Sequence, residues 1–326
     1  MKIKIKKDDL LDIYTIMTRI RKFEEKAADF YKKALIKGSL HLYIGEEAIA
    51  ATVCKLLNKD DYISSTHRGH GHIIAKGAKP DKAFAELLGK QTGYCKGRGG
   101  SMHISDLDTG ILGANGIVGG GIPTAVGAGL SSKILSNKKV SVVFFGDGAA
   151  NQGTFHESIN LAALWQLPVI FVCENNHFGM TVPISESTRE EDIYLRARGY
   201  GLPGYKIDGN DVIAIYETAY MAIENARNGK GPALLECKTY RWSGHWEGDS
   251  CFYREEAELE KWVKKCPIKR LEKILVEEYG IDKAELEKTG LMIDAEINQA
   301  ADFALNSPYP DPKDLLEDVF YNSNKH

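Results

Sequence analysis

Two stretches decide the fold: Val140-Ser-Val-Val-Phe-Phe-Gly-Asp-Gly-Ala-Ala-Asn-Gln152 and Val169-Ile-Phe-Val-Cys-Glu-Asn-Asn176. Each begins as a short apolar, β-rich run and breaks off into polar residues. An apolar run without alternation is a strand buried on both faces, as in a parallel sheet. The interval between them, about Thr154 to Gln166, has the length and pattern of a crossover helix. The same alternation returns with a strand around Tyr205 to Ile207, a helix over Val212 to Asn228 and a strand over Ala233 to Cys237. This is an α/β chain with a mainly parallel sheet and right-handed crossovers, flanked by helices. Ligands of such sheets lie beyond the carboxyl ends of the strands, where Asp147 and Asn175-Asn176 stand.

Working outward, Ile13, Ile16, Met17, Ile20, Phe23, Ala27, Phe30, Tyr31 and Ala34 repeat at helical spacing, predicting one helix over residues 9–37 ended by Gly38. Further helices are expected over about 46–57 and 81–92, with an irregular stretch at Ser64–His72 between them. From Gly93 to Gly129 glycine is dense, part of a total of 32 in 326 residues, above the usual ~7%. Apolar residues interleave with these glycines, so they read as ordered loops that approach something closely. A helix with small residues opens near Ile122, and a charged helical tail runs from Glu255 to about Asn306, before Pro308, Pro310 and Pro312. With no repeat and no linker, residues 1–326 read as one domain, with 255–326 as its helical C-terminal extension.

Composition excludes several classes of function. Apolar residues at 43% and charged residues at 27% suit a globular chain with a large core. A net charge of −3 offers no field for a nucleic-acid backbone. The six cysteines contain no C-x-x-C pair, so neither a disulfide framework nor a thiolate zinc site is expected, and a reducing cytoplasm is the expected location. Met1-Lys-Ile-Lys-Ile-Lys-Lys-Asp8 is not followed by an apolar run of signal length, and no stretch is long enough to span a membrane.

The chemistry follows from what stands at the strand ends. Asp147 and an asparagine side by side are hard oxygen donors, suited to Mg²⁺ held partly by phosphate oxygens. The glycines around Asp147 let backbone N–H groups approach a phosphate at a helix start. A dinucleotide fingerprint fails because Asn151 replaces the third glycine, and no Walker A string is present. His67, His70 and His72 hint at zinc, but no cysteine or carboxylate nearby completes a closed set.

Gly146-Asp-Gly paired with Asn175-Asn176 resembles the thiamine diphosphate motif. With Ser101-Met-His103, Gly113-Ala-Asn-Gly-Ile-Val118, Glu174-Asn-Asn-His-Phe-Gly-Met180 and Tyr240-Arg-Trp-Ser-Gly-His245, the chain is similar to the alpha subunits of the dehydrogenase component of 2-oxo acid and acetoin dehydrogenase complexes, over about residues 10–310. The resemblance implies that Asp147, Asn176 and the backbone carbonyl of Phe178, where a tyrosine is usual, hold Mg²⁺. It implies a diphosphate cradle from Gly148 and Ala149 with Arg68 as its charged clamp, and aminopyrimidine contacts from Gly116 and Val118. His41 and His245 would line the reacting end of the cofactor, with His245 the stronger catalytic candidate. His67 replaces a frequent tyrosine in contact with the cofactor.

The same resemblance places the glutamate that activates the cofactor on a separate beta subunit, so Glu46, Glu47 and Glu174 are not nominated. It implies an α2β2 heterotetramer that serves a dihydrolipoyl acyltransferase. His67-Arg-Gly-His-Gly-His72 and His245-Trp-Glu-Gly-Asp249 look closer to acetoin dehydrogenases. The implied reaction cleaves acetoin, a small molecule, and passes its acetyl unit to lipoamide. Oxidative decarboxylation of pyruvate or a branched-chain 2-oxo acid stays open, as does a non-catalytic assembly role.

Overall fold

Six strands, all parallel, form the central sheet in the order β2-β1-β3-β4-β8-β7. They belong to a computed structural model that describes residues 5–317. Met1–Lys4, read above for targeting signals, and residues 318–326 of the C-terminal extension lie outside the described residues.

In chain order the elements are α1 (Lys7–Lys32), α2 (Glu47–Lys55), β1 (Tyr62–Ser64), α3 (His70–Lys76), α4 (Pro80–Leu87), β2 (Ile111–Gly113), α5 (Gly121–Leu135), β3 (Ser141–Gly146), α6 (Gly153–Leu164) and β4 (Val169–Asn175). A two-stranded hairpin, β5 (Phe178–Gly179) and β6 (Val182–Pro183), and the short α7 (Ile184–Ser187) follow. The chain then adds β7 (Gly204–Asp208), α8 (Val212–Arg227), β8 (Ala233–Lys238), α9 (Glu256–Val263), α10 (Pro267–Glu277) and α11 (Lys283–Asn306).

The unbroken apolar runs do serve two faces. Val142, Phe144, Ile170, Val172 and Leu235 enter one core with α1, α2, α4 and α8, whereas Val143, Phe145, Phe171, Cys173 and Leu234 enter a second with α5 and α6. Successive strand side chains point to opposite faces, so two covered faces demand apolar residues at every position. Polar chemistry is left to the strand ends.

Several boundaries differ from the sequence expectation. The first helix ends at Lys32, before Gly38, because Ala34 takes the left-handed conformation (φ +55°) and the amides of Ala34 and Leu35 close the end onto Tyr31 and Phe30. Ala34 stays apolar and in phase, so periodicity alone extends the helix past it. The stretch Ser64–His72 is irregular only in its middle, where residues 65–69 form a turn. It contains the end of β1 and the start of α3, and His70, Gly71 and His72 are buried. Gly71 belongs there for its lack of a Cβ, which would sit 2.1 Å from the ring of Tyr43. Three-residue strands such as β1 and β2 are too short to carry a pattern.

The tail is three helices rather than one run. Helix α10 packs on α1 and α2, and α11 packs on α1 and α4. Burial of Leu271, Leu275, Ile293 and Ile297 makes these helices a brace for the first core.

Helix α4 also stops early, at Leu87 rather than near Thr92, and the cause is the fully buried Glu86. Its Oε2 accepts the amides of Cys95 (2.7 Å) and Gly97 (2.9 Å), and its Oε1 those of Gly99 (2.7 Å) and Gly100 (3.1 Å). Folding four amides around one carboxylate requires backbone close to it, and a Cβ at Gly93 would lie 2.4 Å from Glu86 Oε2. The first part of the glycine-rich segment thus wraps a buried anion of the protein itself. Glu86→Ala strands those four N–H groups, an expected loss of about 4 kcal/mol or more. Hydrogen exchange should show protection lost first at Cys95, Gly97, Gly99 and Gly100; unchanged protection there would contradict this role.

Candidate active site

The register of β3 on β4 sets Gly146 opposite Glu174, so both strands deliver their polar residues at the same level. Asp147 begins a 3-10 turn, Asp147–Asn151, that leads into α6. The β5–β6 hairpin folds back over this turn until two glycines touch: a Cβ on Gly148 would be 3.2 Å from Cα of Gly179. That contact brings Phe178 beside Asp147. The Phe178 ring packs away against Tyr240 and Tyr253, and its N–H donates to Asn176 Oδ1 (3.3 Å).

A cavity of about 380 Å³ opens at these strand ends, within the range of small-molecule sites. It is lined by His41, His67, Arg68, Gly116, Val118, Asp147, Gly148, Ala149, Asn176, Phe178 and His245, so every residue to which the resemblance gave a role meets here. Asn175 does not; its side chain turns away to Glu236 (2.6 Å) and is fully buried.

Asp147 is the exceptional group. It is 1% exposed, and both of its carboxylate oxygens are buried with no hydrogen-bond partner. Buried polar groups are nearly always paired, so such an orphan needs an explanation. Burial pushes its pKa up to about 6. A cation with oxygen affinity would satisfy both oxygens, and the Asn176 amide oxygen stands close by in the same cavity.

Three imidazoles line the cavity, with ring centres 4.8 Å (His41–His67), 5.1 Å (His41–His245) and 5.2 Å (His67–His245) apart. Burial, aided by the positive charge of Arg68, lowers their pKa values to about 3 for His41, about 2 for His67 and about 4 for His245. All three are therefore neutral at pH 7 and can accept or pass a proton. His245 is fixed through its backbone: its N–H donates to Asp249 (2.7 Å), and its carbonyl accepts from Arg68 Nη2 (3.0 Å). Arg68 also donates to the Leu42 carbonyl (2.5 Å). Each of its terminal nitrogens thus gives one bond to backbone, which fixes the guanidinium at the cavity wall.

His70 and His72 belong to different contacts. His70 bonds Glu24 (3.0 Å) and Ser101 (3.0 Å), and His72 bonds Glu174 (3.0 Å) and Ser65 (2.7 Å). A zinc set of His67, His70 and His72 does not form.

Sequence reading gave no role to several residues in or beside the cavity. Glu174 accepts from Tyr43 Oη as well as from His72, and sits near Glu46, whose carboxyl is pushed up to about 8 by burial and by the Glu174 charge. Glu46 accepts from Asn176 Nδ2 (3.1 Å) and so turns the amide oxygen of Asn176 the other way. Arg241, 2% exposed, donates to Met180 O (3.1 Å) and Tyr253 Oη (2.8 Å), and its Nε is buried without a partner. Glu174 and Arg241 lie inside motifs quoted above, which was the available signal; Glu46 was set aside for want of a match, and Tyr43, which reaches the cavity only through Glu174, had no signal beyond proximity to His41.

The donor set fits the group that the resemblance implied: orphan carboxylate oxygens for a cation, a glycine contact that exposes backbone, and neutral imidazoles around the remaining space. Comparison with known proteins agrees. The dehydrogenase E1 component family matches residues 15–313. The alpha subunit of acetoin:2,6-dichlorophenolindophenol oxidoreductase from Bacillus subtilis is 48% identical over 96% of this chain and 94% of its own length. Its counterpart from Cupriavidus necator is 45% identical over 96% and 95%. The pyruvate dehydrogenase E1 component subunit alpha of Porphyra purpurea is 39% identical over 98% and 94%. With site geometry, family match and near full-length relatives in agreement, this chain belongs to the dehydrogenase E1 component family of thiamine diphosphate-dependent enzymes.

Proposed function

We propose that this chain is the alpha subunit of an acetoin dehydrogenase E1 component. It would act with a beta subunit in an α2β2 tetramer and pass the acetyl unit of acetoin to lipoamide on a dihydrolipoyl acyltransferase. The observation that carries the cofactor reading is Asp147, whose two buried oxygens have no partner in the protein. The 45–48% identical relatives support acetoin as substrate.

In this reading Asp147, Asn176 Oδ1 and the Phe178 carbonyl hold Mg²⁺. The amides of Gly148 and Ala149 and the charge of Arg68 face the diphosphate, while the backbone of Gly116 and Val118 meets the aminopyrimidine, with His67 alongside. When bound, thiamine diphosphate supplies the electron sink for carbon–carbon cleavage. The work of the chain is to orient, to exclude water and to handle protons. His41 and His245, both neutral, would accept a hydrogen bond from the substrate hydroxyl at a ring nitrogen and orient it; full protonation of either imidazole is opposed by Arg68 and Arg241. The cavity is open along Ile117 and Val118, 73% and 50% exposed. A beta subunit docking there would close the site and bring the activating carboxylate that this chain is not assigned.

One domain, with α9–α11 as its extension, is the economical division of the chain. Among the described residues no helix is long and apolar enough to cross a membrane, and all six cysteines are free, which supports a cytoplasmic setting. A second reading, decarboxylation of pyruvate, is favoured by Arg241, whose unpartnered Nε in the cavity wall would suit a carboxylate.

Asp147→Asn separates stability from binding. The folded acid holds its proton more tightly than the unfolded one, about 6 against 3.8, so the cofactor-free chain loses stability as pH rises through that window. Removing the charge should stabilise the cofactor-free chain at pH 7 by up to about 3 kcal/mol. The variant should also lose the rise in Tm that thiamine diphosphate with Mg²⁺ gives the parent. An undiminished rise would refute the metal assignment.

Substrate choice is settled by assay of the alpha–beta complex with an artificial electron acceptor. Acetoin is expected to exceed pyruvate by at least about tenfold in kcat/KM, or 1.4 kcal/mol of transition-state discrimination. The reverse order would establish the pyruvate reading. Gel filtration of alpha with coexpressed beta should give the tetramer, and full turnover by alpha alone would overturn the shared-site proposal.

A further inference from the structure

His41, His67 and His245 come from three separate segments: the loop after α1, the turn after β1 and the loop after β8. Each offers one ring nitrogen, and the three atoms lie within 4.8 Å of one another. Among the described residues this is the one group of three histidine, cysteine or carboxylate side chains so arranged. His41 is 6% exposed, and its Nδ1 is buried with no hydrogen-bond partner.

We infer that these three imidazoles form a second metal site, for a borderline divalent cation such as Zn²⁺, chemically distinct from the oxygen donors at Asp147. Three nitrogens at the widest spacing leave a central point about 2.8 Å from each, only ~0.7 Å beyond a Zn–N bond. Small ring rotations would close that gap at His67 and His245, both half-buried, where His245 Nδ1 lies 3.4 Å from Arg241 Nη1. Neutral imidazoles present lone pairs, whereas Mg²⁺, which prefers oxygen, gains little from an all-nitrogen set. Three protein ligands leave the fourth tetrahedral position open to water or a ligand oxygen. The guanidiniums of Arg68 and Arg241 repel a cation here, so occupancy is reversible and set by free metal rather than built in as a structural centre. Binding of the metal stands on these side chains alone. Its consequence, exclusion of substrate from the reacting end of the cavity, rests on the function proposed above.

The test uses the purified full chain, stripped of trace metal and kept in excess Mg²⁺ to occupy oxygen sites. Titration with Co²⁺ should give the visible d–d band of tetrahedral nitrogen ligation at one equivalent, and Zn²⁺ should displace it. The band should vanish in His67→Ala and in His245→Gln, and persist in Asp147→Ala and Cys251→Ser. Absence of the band in the parent chain, its survival in both histidine variants, or its loss in Asp147→Ala or Cys251→Ser would overturn the proposal. The spectrum reports ligation without reference to turnover, so its failure is separable from failure of the acetoin reading.

Discussion

The pairing of β3 with β4 is the constraint on which the rest depends. Both strands are covered on both faces, so neither can place a polar side chain along its length without burying it unpaired. Polar groups are pushed to the carboxyl edge, and the register that aligns Gly146 with Glu174 makes Asp147 and the Asn175-Asn176 pair neighbours there. Site and core are consequences of the same packing. A slip of one residue would turn every strand side chain to the wrong core and separate the two ends.

Four of the chain's buried carboxylates show two kinds. Glu86 gathers four amides, Asp61 binds Arg227 and the amides of Val140 and Asn58, and Glu24 takes the Tyr43 amide and His70. Each is satisfied within the chain and shapes a loop or ties elements together. Asp147 has the same burial and no partner. The contrast separates structural from functional charge more clearly than residue type does, since all four are acidic and buried.

Much of this was legible in the chain. The strand–helix alternation and the edge position of Asp147 and Asn176 follow from local patterns and motif spacing, whereas Arg68, His41 and His245 were assigned to one site by the family resemblance. The failures have physical causes. Ala34 adopts a left-handed conformation usually left to glycine, so the end of α1 was hidden. Gly93, Gly97, Gly99 and Gly100 suggested a ligand but serve Glu86, because a loop wrapped on an internal anion has the same composition as one wrapped on a phosphate. The start of α3 within Ser64–His72 was hidden because His70 and His72 are held by long-range partners, Glu24, Ser101 and Glu174, which no window of sequence contains.

By itself, then, the sequence determined the parallel α/β architecture, since unbroken apolar runs have one stable use, and it placed oxygen donors at the edge of the sheet. Tertiary structure decided what those donors experience. Asp147 has its partnerless oxygens because the fold buries them where no side chain reaches them. Three histidines spread over some two hundred residues of sequence meet and stay neutral because burial and two guanidiniums act on them together. Burial and proximity are sums over the whole chain, and they appear only when it is folded.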